Sequence, residues 1–146
     1  MNKIFKNKEL KGLIKANLKK VKLRECGSVL EIEYTLKKTD TMDDHVMISL
    51  FDIKNTLKAI HDSPELEKFE TIKFLGMTLT KDINRKFSWE CGIQLIFDLV
   101  NLCSVDYNTM TLEQLLSLQA PYKIGVTGAI RKELTEDAML LLYPAR

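Results

Sequence analysis

The sequence FSWECGIQLIFDL at residues 87–99 has an apolar side chain at every second position. Successive side chains of a β-strand point to opposite faces, so a period of two places the apolar residues on one face. The pattern predicts one strand with a continuous apolar face. Thirteen residues exceed the usual strand length of about five or six, so we expect this strand to bend or end early. Its apolar positions are Phe87, Trp89, Cys91, Ile93, Leu95, Phe97 and Leu99.

Two hairpins are predicted around this strand. Residues 69–80 are rich in β-branched and aromatic side chains, and their alternation changes face just before Gly76. A glycine at such a change predicts a bulge. A short polar link at residues 81–85 then leads into the long strand, which makes the central hairpin. A second hairpin is predicted earlier, because residues 30–37 alternate after a Gly27-Ser28 turn that follows a shorter strand.

A helix of about five turns is predicted between the hairpins. Its apolar residues recur at spacings of four and three, and Asp43 or Asp44 would cap its first turn. Pro64 predicts an end near Asp62. A short strand at residues 45–51 followed by a three-turn helix is the alternative. The apolar positions are Val46, Leu50, Ile53, Leu57 and Ile60.

The C-terminal third carries weaker patterns. Thr111-Leu-Glu-Gln114 resembles a capping box before a short helix, residues 122–126 predict an edge strand, and residues 129–142 predict a last helix. The order α-β-β-α-β-β, then short helices, predicts one α+β domain over residues 1–146. Its sheet is mainly antiparallel, with four to five strands and helices packed on the apolar face.

The N-terminal segment is the most asymmetric part of the charge distribution. Residues 1–24 carry nine basic side chains against Glu9, a balance of +8, while the whole chain carries +2. Apolar residues at helical spacing predict a basic amphipathic helix over residues 1–20. Val21 and Leu23 are also compatible with the start of a strand. The lysines that flank the apolar stripe are Lys8, Lys11, Lys15, Lys19 and Lys22.

The composition gives few indications of catalysis. The three cysteines have no CxxC spacing, no serine lies in a GxSxG motif, and His45 and His61 would lie about 24 Å apart on one helix. We therefore expect no cofactor and no metal, and an enzyme is not the favoured class. No segment is apolar enough to span a membrane, so a cytoplasmic protein is expected.

The favoured hypothesis is a non-enzymatic protein-binding domain, for example an inhibitor or immunity-type protein with one macromolecular partner. The alternative is an accessory protein that binds nucleic acid through the basic N-terminal helix. An exposed edge strand would also allow a homodimer. Glu90 and Asp98 are expected to share the polar face of the long strand. The candidate partner-binding residues are Lys8, Lys11, Lys15, Lys19, Lys22, Glu31, Glu33 and Glu90.

Overall fold

The computed structural model describes residues 2–4, 8–81, 84–119 and 125–143. Its strands are β1 (Asn2–Ile4), β2 (Lys19–Cys26), β3 (Val29–Thr35), β4 (Thr71–Lys81), β5 (Phe87–Asp98) and β6 (Gly125–Val126). Its helices are α1 (Lys8–Lys15), α2 (Met42–Ile60), α3 (Leu112–Ser117), α4 (Gly128–Arg131) and α5 (Glu136–Leu142), and 3₁₀ turns lie at Pro64–Leu66 and Leu99–Leu102.

The described strands form one sheet, whose spatial order is the chain order from β1 to β6. Neighbouring strands are antiparallel except β3 and β4, which are parallel. A parallel pair needs a long crossover, and α2 provides it. The predicted α+β fold with a mainly antiparallel sheet is confirmed. The described strands number six instead of the predicted four to five, because the short edge strand β1 was not predicted.

The predicted helix over residues 1–20 is wrong at both ends, since Asn2–Ile4 form strand β1. Helix α1 ends at Lys15, and β2 begins at Lys19. Lys20 has a left-handed backbone (φ 52°), and the register against β3 shifts between Lys19 and Lys22. The chain therefore turns sharply here and gains the hydrogen bonds of a hairpin with β3. Residues 1 and 5–7 lie outside the described part.

Helix α2 follows the predicted apolar spacing, and the alternative of a strand at residues 45–51 is wrong. All five predicted apolar positions are fully buried. The cap is Thr41 rather than an aspartate, because its Oγ1 accepts a hydrogen bond from the Asp44 amide at 3.1 Å. Asp43 instead accepts hydrogen bonds from the amide and hydroxyl of Thr135, at 2.9 and 2.5 Å. Asp43 therefore ties the start of α2 to the start of α5.

The C-terminal third agrees with the sequence in part. The capping box is confirmed: Thr111 Oγ1 accepts from the Gln114 amide at 3.2 Å, and Gln114 Oε1 accepts from the Thr111 amide at 2.9 Å. The single helix predicted over residues 129–142 is wrong, since Thr135 caps a separate helix, α5. Of the predicted strand at residues 122–126, Gly125–Val126 form β6, and residues 122–124 lie outside the described part.

The core lies between one face of the sheet and the helices. Phe74 and Phe97 meet edge to face, with ring centroids 5.9 Å apart. The hydroxyl groups of Tyr34 and Ser49 hydrogen-bond at 2.5 Å inside this core. Burial raises the pKa of Tyr34 well above its ordinary value. The opposite surface of β2 to β5, which we call the open face, has no helix packed against it among the described elements.

A register shift at Gly76 divides the central hairpin. Gly76 pairs with Ile93, whereas Met77 pairs with Cys91, so Gly92 is an extra residue in β5. The predicted bulge is therefore present beside Gly76, with its extra residue on the partner strand. A one-residue slip moves side chains to the other face. For this reason the continuous apolar face predicted for residues 87–99 is wrong.

Replacing Gly76 with alanine tests the close packing beside the bulge. An added Cβ would lie 2.8 Å from Leu36 Cδ2 and 2.9 Å from the Tyr34 hydroxyl oxygen. We expect Gly76→Ala to lower the free energy of unfolding by about 1–3 kcal/mol, measured by urea denaturation. The control is Gly12→Ala in α1, where a Cβ meets nothing within 4 Å; this change should raise stability by about 0.5–1 kcal/mol. Equal effects would contradict the packing described.

Replacing Tyr34 with phenylalanine tests the buried hydroxyl pair. Tyr34→Phe leaves Ser49 without this partner and should cost about 1–3 kcal/mol near pH 8. Tyr34→Phe/Ser49→Ala should recover part of that loss. Because the pKa of folded Tyr34 is raised above its ordinary value of 10.0, its contribution is present below about pH 10 and is lost at higher pH. The variant should therefore lose stability less steeply than wild type above about pH 10, as followed by denaturation at several pH values.

Candidate protein-binding surface

Three large apolar side chains are exposed at the end of the β4–β5 hairpin. The exposed fractions are 47% for Leu79, 63% for Phe87 and 55% for Trp89. Leu79 pairs directly with Trp89 across the two strands. We call these three residues the apolar patch.

The bulge at Gly92 explains why the apolar patch is outside the core. On the C-terminal side of Gly92, Ile93 is fully buried against the helices. On its N-terminal side, Trp89 pairs with Leu79. In β4, Ile72 and Phe74 point into the core, and Leu79 is an odd number of residues from both, so it lies on the open face. The patch therefore belongs to the open face. The next pair along the two strands on this face is Met77 and Cys91, and both are half-buried.

The other face of the hairpin end is polar. Thr80 pairs with Ser88 and Thr78 pairs with Glu90. The Thr80 hydroxyl donates a hydrogen bond to the Glu90 carboxylate. The hairpin end is thus an amphipathic two-stranded ribbon, and such a ribbon is at best marginally stable by itself.

Charges of both signs occupy the open face on β2 and β3. Arg24 Nη1 lies 3.3 Å from Glu33 Oε1 and 3.5 Å from Glu31 Oε1. Lys22 Nζ lies 3.8 Å from Glu33 Oε2. Lys73 and Asp98 add one charge of each sign on this face, and Lys19, which pairs with Thr35, adds a further cation.

The predicted lysine stripe is not one surface. Lys8 and Lys15 are exposed and Lys11 is half-buried on α1, on the helix side of the sheet. Lys19 and Lys22 belong to β2, and Lys22 lies on the open face beside Glu33. The prediction placed these lysines on one helix. Because residues 19–26 form β2 instead, the lysines of α1 and those of β2 lie on different surfaces.

The predicted acidic residues also lie on two different faces of the sheet. Glu31 and Glu33 lie together on the open face, where Arg24 pairs with both. Glu90 lies on the opposite face from Asp98, because Gly92 stands between them as an extra residue. The prediction that Glu90 and Asp98 share a face is therefore wrong. Residues Leu79, Phe87 and Trp89 were not predicted as a binding surface; the glycine within the alternating strand was the only local indication.

The histidines lie at opposite ends of α2 in separate surroundings. His45 Nδ1 lies 2.7 Å from the Lys37 carbonyl oxygen, beside an open cavity of about 690 Å³ that also borders Asp40 and Glu133. The His61 ring lies 4.8 Å from the Tyr107 ring. Among the described residues, no group of three or more His, Cys, Asp or Glu could hold a metal ion.

The two half-buried thiols are not activated nucleophiles. Burial raises the pKa of Cys91, and burial together with the nearby Glu31 carboxylate raises the pKa of Cys26. Both therefore remain protonated near neutral pH, and the thiolate is the reactive form. Within the described part of the chain, no helix is long and apolar enough to cross a bilayer.

Comparisons with family models, curated proteins and solved structures find no match for this chain. The functional argument therefore depends on the surface chemistry of the described residues.

Two substitutions in β5 test which side of the bulge is buried. Ile93→Ala should lower the free energy of unfolding by about 2–5 kcal/mol, because it removes fully buried methyl groups. Trp89→Ala should change it by less than about 1 kcal/mol, since an exposed cross-strand pair contributes little. Urea denaturation followed by far-ultraviolet circular dichroism compares the two, as Trp89 is the single tryptophan. A loss of several kcal/mol for Trp89→Ala would place the patch in the core instead.

Proposed function

We propose that this chain is a non-enzymatic protein-binding domain whose partner protein docks on the apolar patch and the adjoining open face. An inhibitor or immunity-type protein is one example of this class. The observation that carries the proposal is the exposure of Leu79, Phe87 and Trp89 next to each other at the end of the β4–β5 hairpin. Contiguous exposed apolar side chains with a polar border are typical of interaction sites.

The chemistry of the patch favours a protein partner. Tryptophan is enriched among the residues that dominate binding free energy, and it acts best inside a border that excludes water. The paired charges of Lys22, Arg24, Glu31 and Glu33 lie further along the same face, beyond Met77 and Leu75. Charges on a docking face select a partner whose own charges are complementary to them.

A cytoplasmic location belongs to the same proposal. Cys26, Cys91 and Cys103 are all free thiols. Free thiols are compatible with a reducing compartment.

Nucleic-acid binding through the N-terminal lysines is the alternative, and it has less support. Affinity for phosphates depends on several cations that act on one surface. Lys8, Lys11 and Lys15 lie on α1, whereas Lys22 lies on the other side of the sheet beside an acidic residue. On the open face, Lys22 and Arg24 are each paired with a glutamate, which reduces the attraction of this surface for phosphates.

Affinity capture with matched variants tests the proposal. Wild type, Leu79→Ser/Trp89→Ser and Val100→Ser are immobilised and exposed to lysate of the source cell at low and high salt. Val100 is the control because it is 78% exposed but lies outside the patch, in the turn Leu99–Leu102. We expect a stoichiometric protein, identified by mass spectrometry, on wild type and Val100→Ser but not on the double variant.

Titration with the purified captured protein completes the test. Trp89→Ser should weaken its binding by about 30-fold or more, as is typical of a tryptophan at the centre of an interface. Equal capture by all three proteins would contradict the patch as the docking site. Fluorescence anisotropy with mixed-sequence DNA and RNA covers the alternative: micromolar binding that weakens steeply with salt and is lost in Lys8→Glu/Lys15→Glu would favour nucleic acid instead.

A further inference from the structure

Strand β4 has apolar side chains on both of its faces. Ile72 and Phe74 are fully buried against the helices. Leu75, Met77 and Leu79 alternate with that set and lie on the open face. A strand that is apolar on both faces is typical of a sheet that is covered on both sides. The sequence of β4 therefore suits a strand whose open face also receives a cover.

The open face of β2 and β3 is different. Lys22 and Arg24 of β2 lie there beside Glu31 and Glu33 of β3, so these strands alternate apolar and polar residues as one-sided strands do. The apolar side chains of the open face are concentrated on β4 and β5. We call the following six residues the apolar strip: Leu75, Met77, Leu79, Trp89, Cys91 and Ile96.

The apolar strip has the dimensions of one α-helix. Leu79 pairs with Trp89 at one end, and Lys73 pairs with Ile96 at the other. The stretch of β4 from Lys73 to Leu79 spans about 20 Å, and two strands side by side are about 10 Å wide. A helix with its side chains is about 10 Å across, and about 13 helical residues cover 20 Å.

A second sheet is a poorer cover than a helix. It would extend over β2 and β3 and bury Arg24 together with Glu31 and Glu33. Removing ion pairs from water often costs more than their attraction returns. One helix on the apolar strip leaves these ion pairs in solvent. Gln94, which pairs with Leu75, gives the covering helix one polar group to hydrogen-bond.

The more accessible charges beside the apolar strip are positive. The Lys22 side chain is 69% exposed, against 20% for its partner Glu33. The Arg24 side chain is 35% exposed, against 17% for Glu31. Lys19 is a further exposed cation on β2. A surface of this kind is complementary to acidic side chains.

We propose that the partner protein docks an amphipathic α-helix along the apolar strip, with acidic side chains on the flank that faces β2. This inference rests on the proposed function, since it names the element that docks on that surface. Helices that bind in this way use apolar residues at spacings of three and four. Carboxylates on the β2 side then lie nearest to Lys19 and Lys22.

Three fluorescein-labelled synthetic peptides of about 18 residues, long enough to cover the strip as a helix, test the proposal by fluorescence anisotropy. The first has leucines at helical spacing and glutamates on both flanks. The second has lysine in place of every glutamate, and the third has the composition of the first with leucine at every second position. We expect micromolar binding of the first peptide. The second and third should bind about tenfold more weakly or less.

Variants of the protein test the charges and the length of the strip. Lys19→Gln/Lys22→Gln should reduce the preference for the acidic helical peptide over the basic one to about threefold or less. Lys8→Gln/Lys15→Gln makes the same charge change on α1, on the other side of the sheet, and should keep the full preference. Ile96→Ser, at the far end of the strip, should weaken the acidic peptide by about tenfold. Urea denaturation establishes that each variant is folded.

Val100→Ser lies outside the strip and should bind the acidic peptide like wild type. Equal affinities for the acidic and basic helical peptides, tighter binding of the alternating peptide, or no binding of any peptide would overturn the proposal.

The outcome is separable from that of the proposed function, because the peptides are measured with purified protein and no partner. Suppose that Leu79→Ser/Trp89→Ser loses the captured protein, while the acidic helical peptide neither binds wild type nor displaces that protein from it. The docking surface would then be supported, and the helix would be refuted.

Discussion

One extra residue in β5 decides the surface chemistry of this protein. Gly92 has no counterpart in β4, where Gly76 pairs with Ile93 and Met77 pairs with Cys91. A Cβ at Gly92 would lie 2.7 Å from Ile130 Cδ1 and 2.9 Å from Thr78 Cγ2, so α4 packs where a side chain would stand. The close approach of α4 and the reversal of the strand's faces are therefore two consequences of one bulge.

The consequence is a sheet with two different ends. On the C-terminal side of the bulge, Leu95 and Phe97 are buried in the core. The buried Tyr34–Ser49 hydrogen bond connects β3 to α2. On the N-terminal side of the bulge, Phe87 and Trp89 of β5 and Leu79 of β4 have their side chains on the open face. The hairpin end continues the same two strands, so its pairing depends on the packed end.

Much of the fold followed from local patterns. The spacing of the apolar residues in α2 predicted its buried face, because a helix of that length presents one stripe to a core irrespective of its neighbours. Alternation around Gly27 predicted the β2–β3 hairpin, and the Thr111–Gln114 capping box predicted the start of α3. The N-terminal helix was overextended, because Leu18 and Val21 fit either period and only the pairing of β2 with β3 decides between them.

The candidate site was predicted less well. By itself, the sequence determined that the chain has two hairpins joined by a long helix, that its cysteines carry no disulfide or zinc spacing, and that its charge is concentrated near the N-terminus. It could not determine which face each half of β5 presents, because strict alternation is the same whether or not the partner strand skips a residue. Only the tertiary structure, through the register of β4 against β5 and the packing of α4 on Gly92, decided that Phe87 and Trp89 are exposed and that Glu90 leaves the face of Asp98.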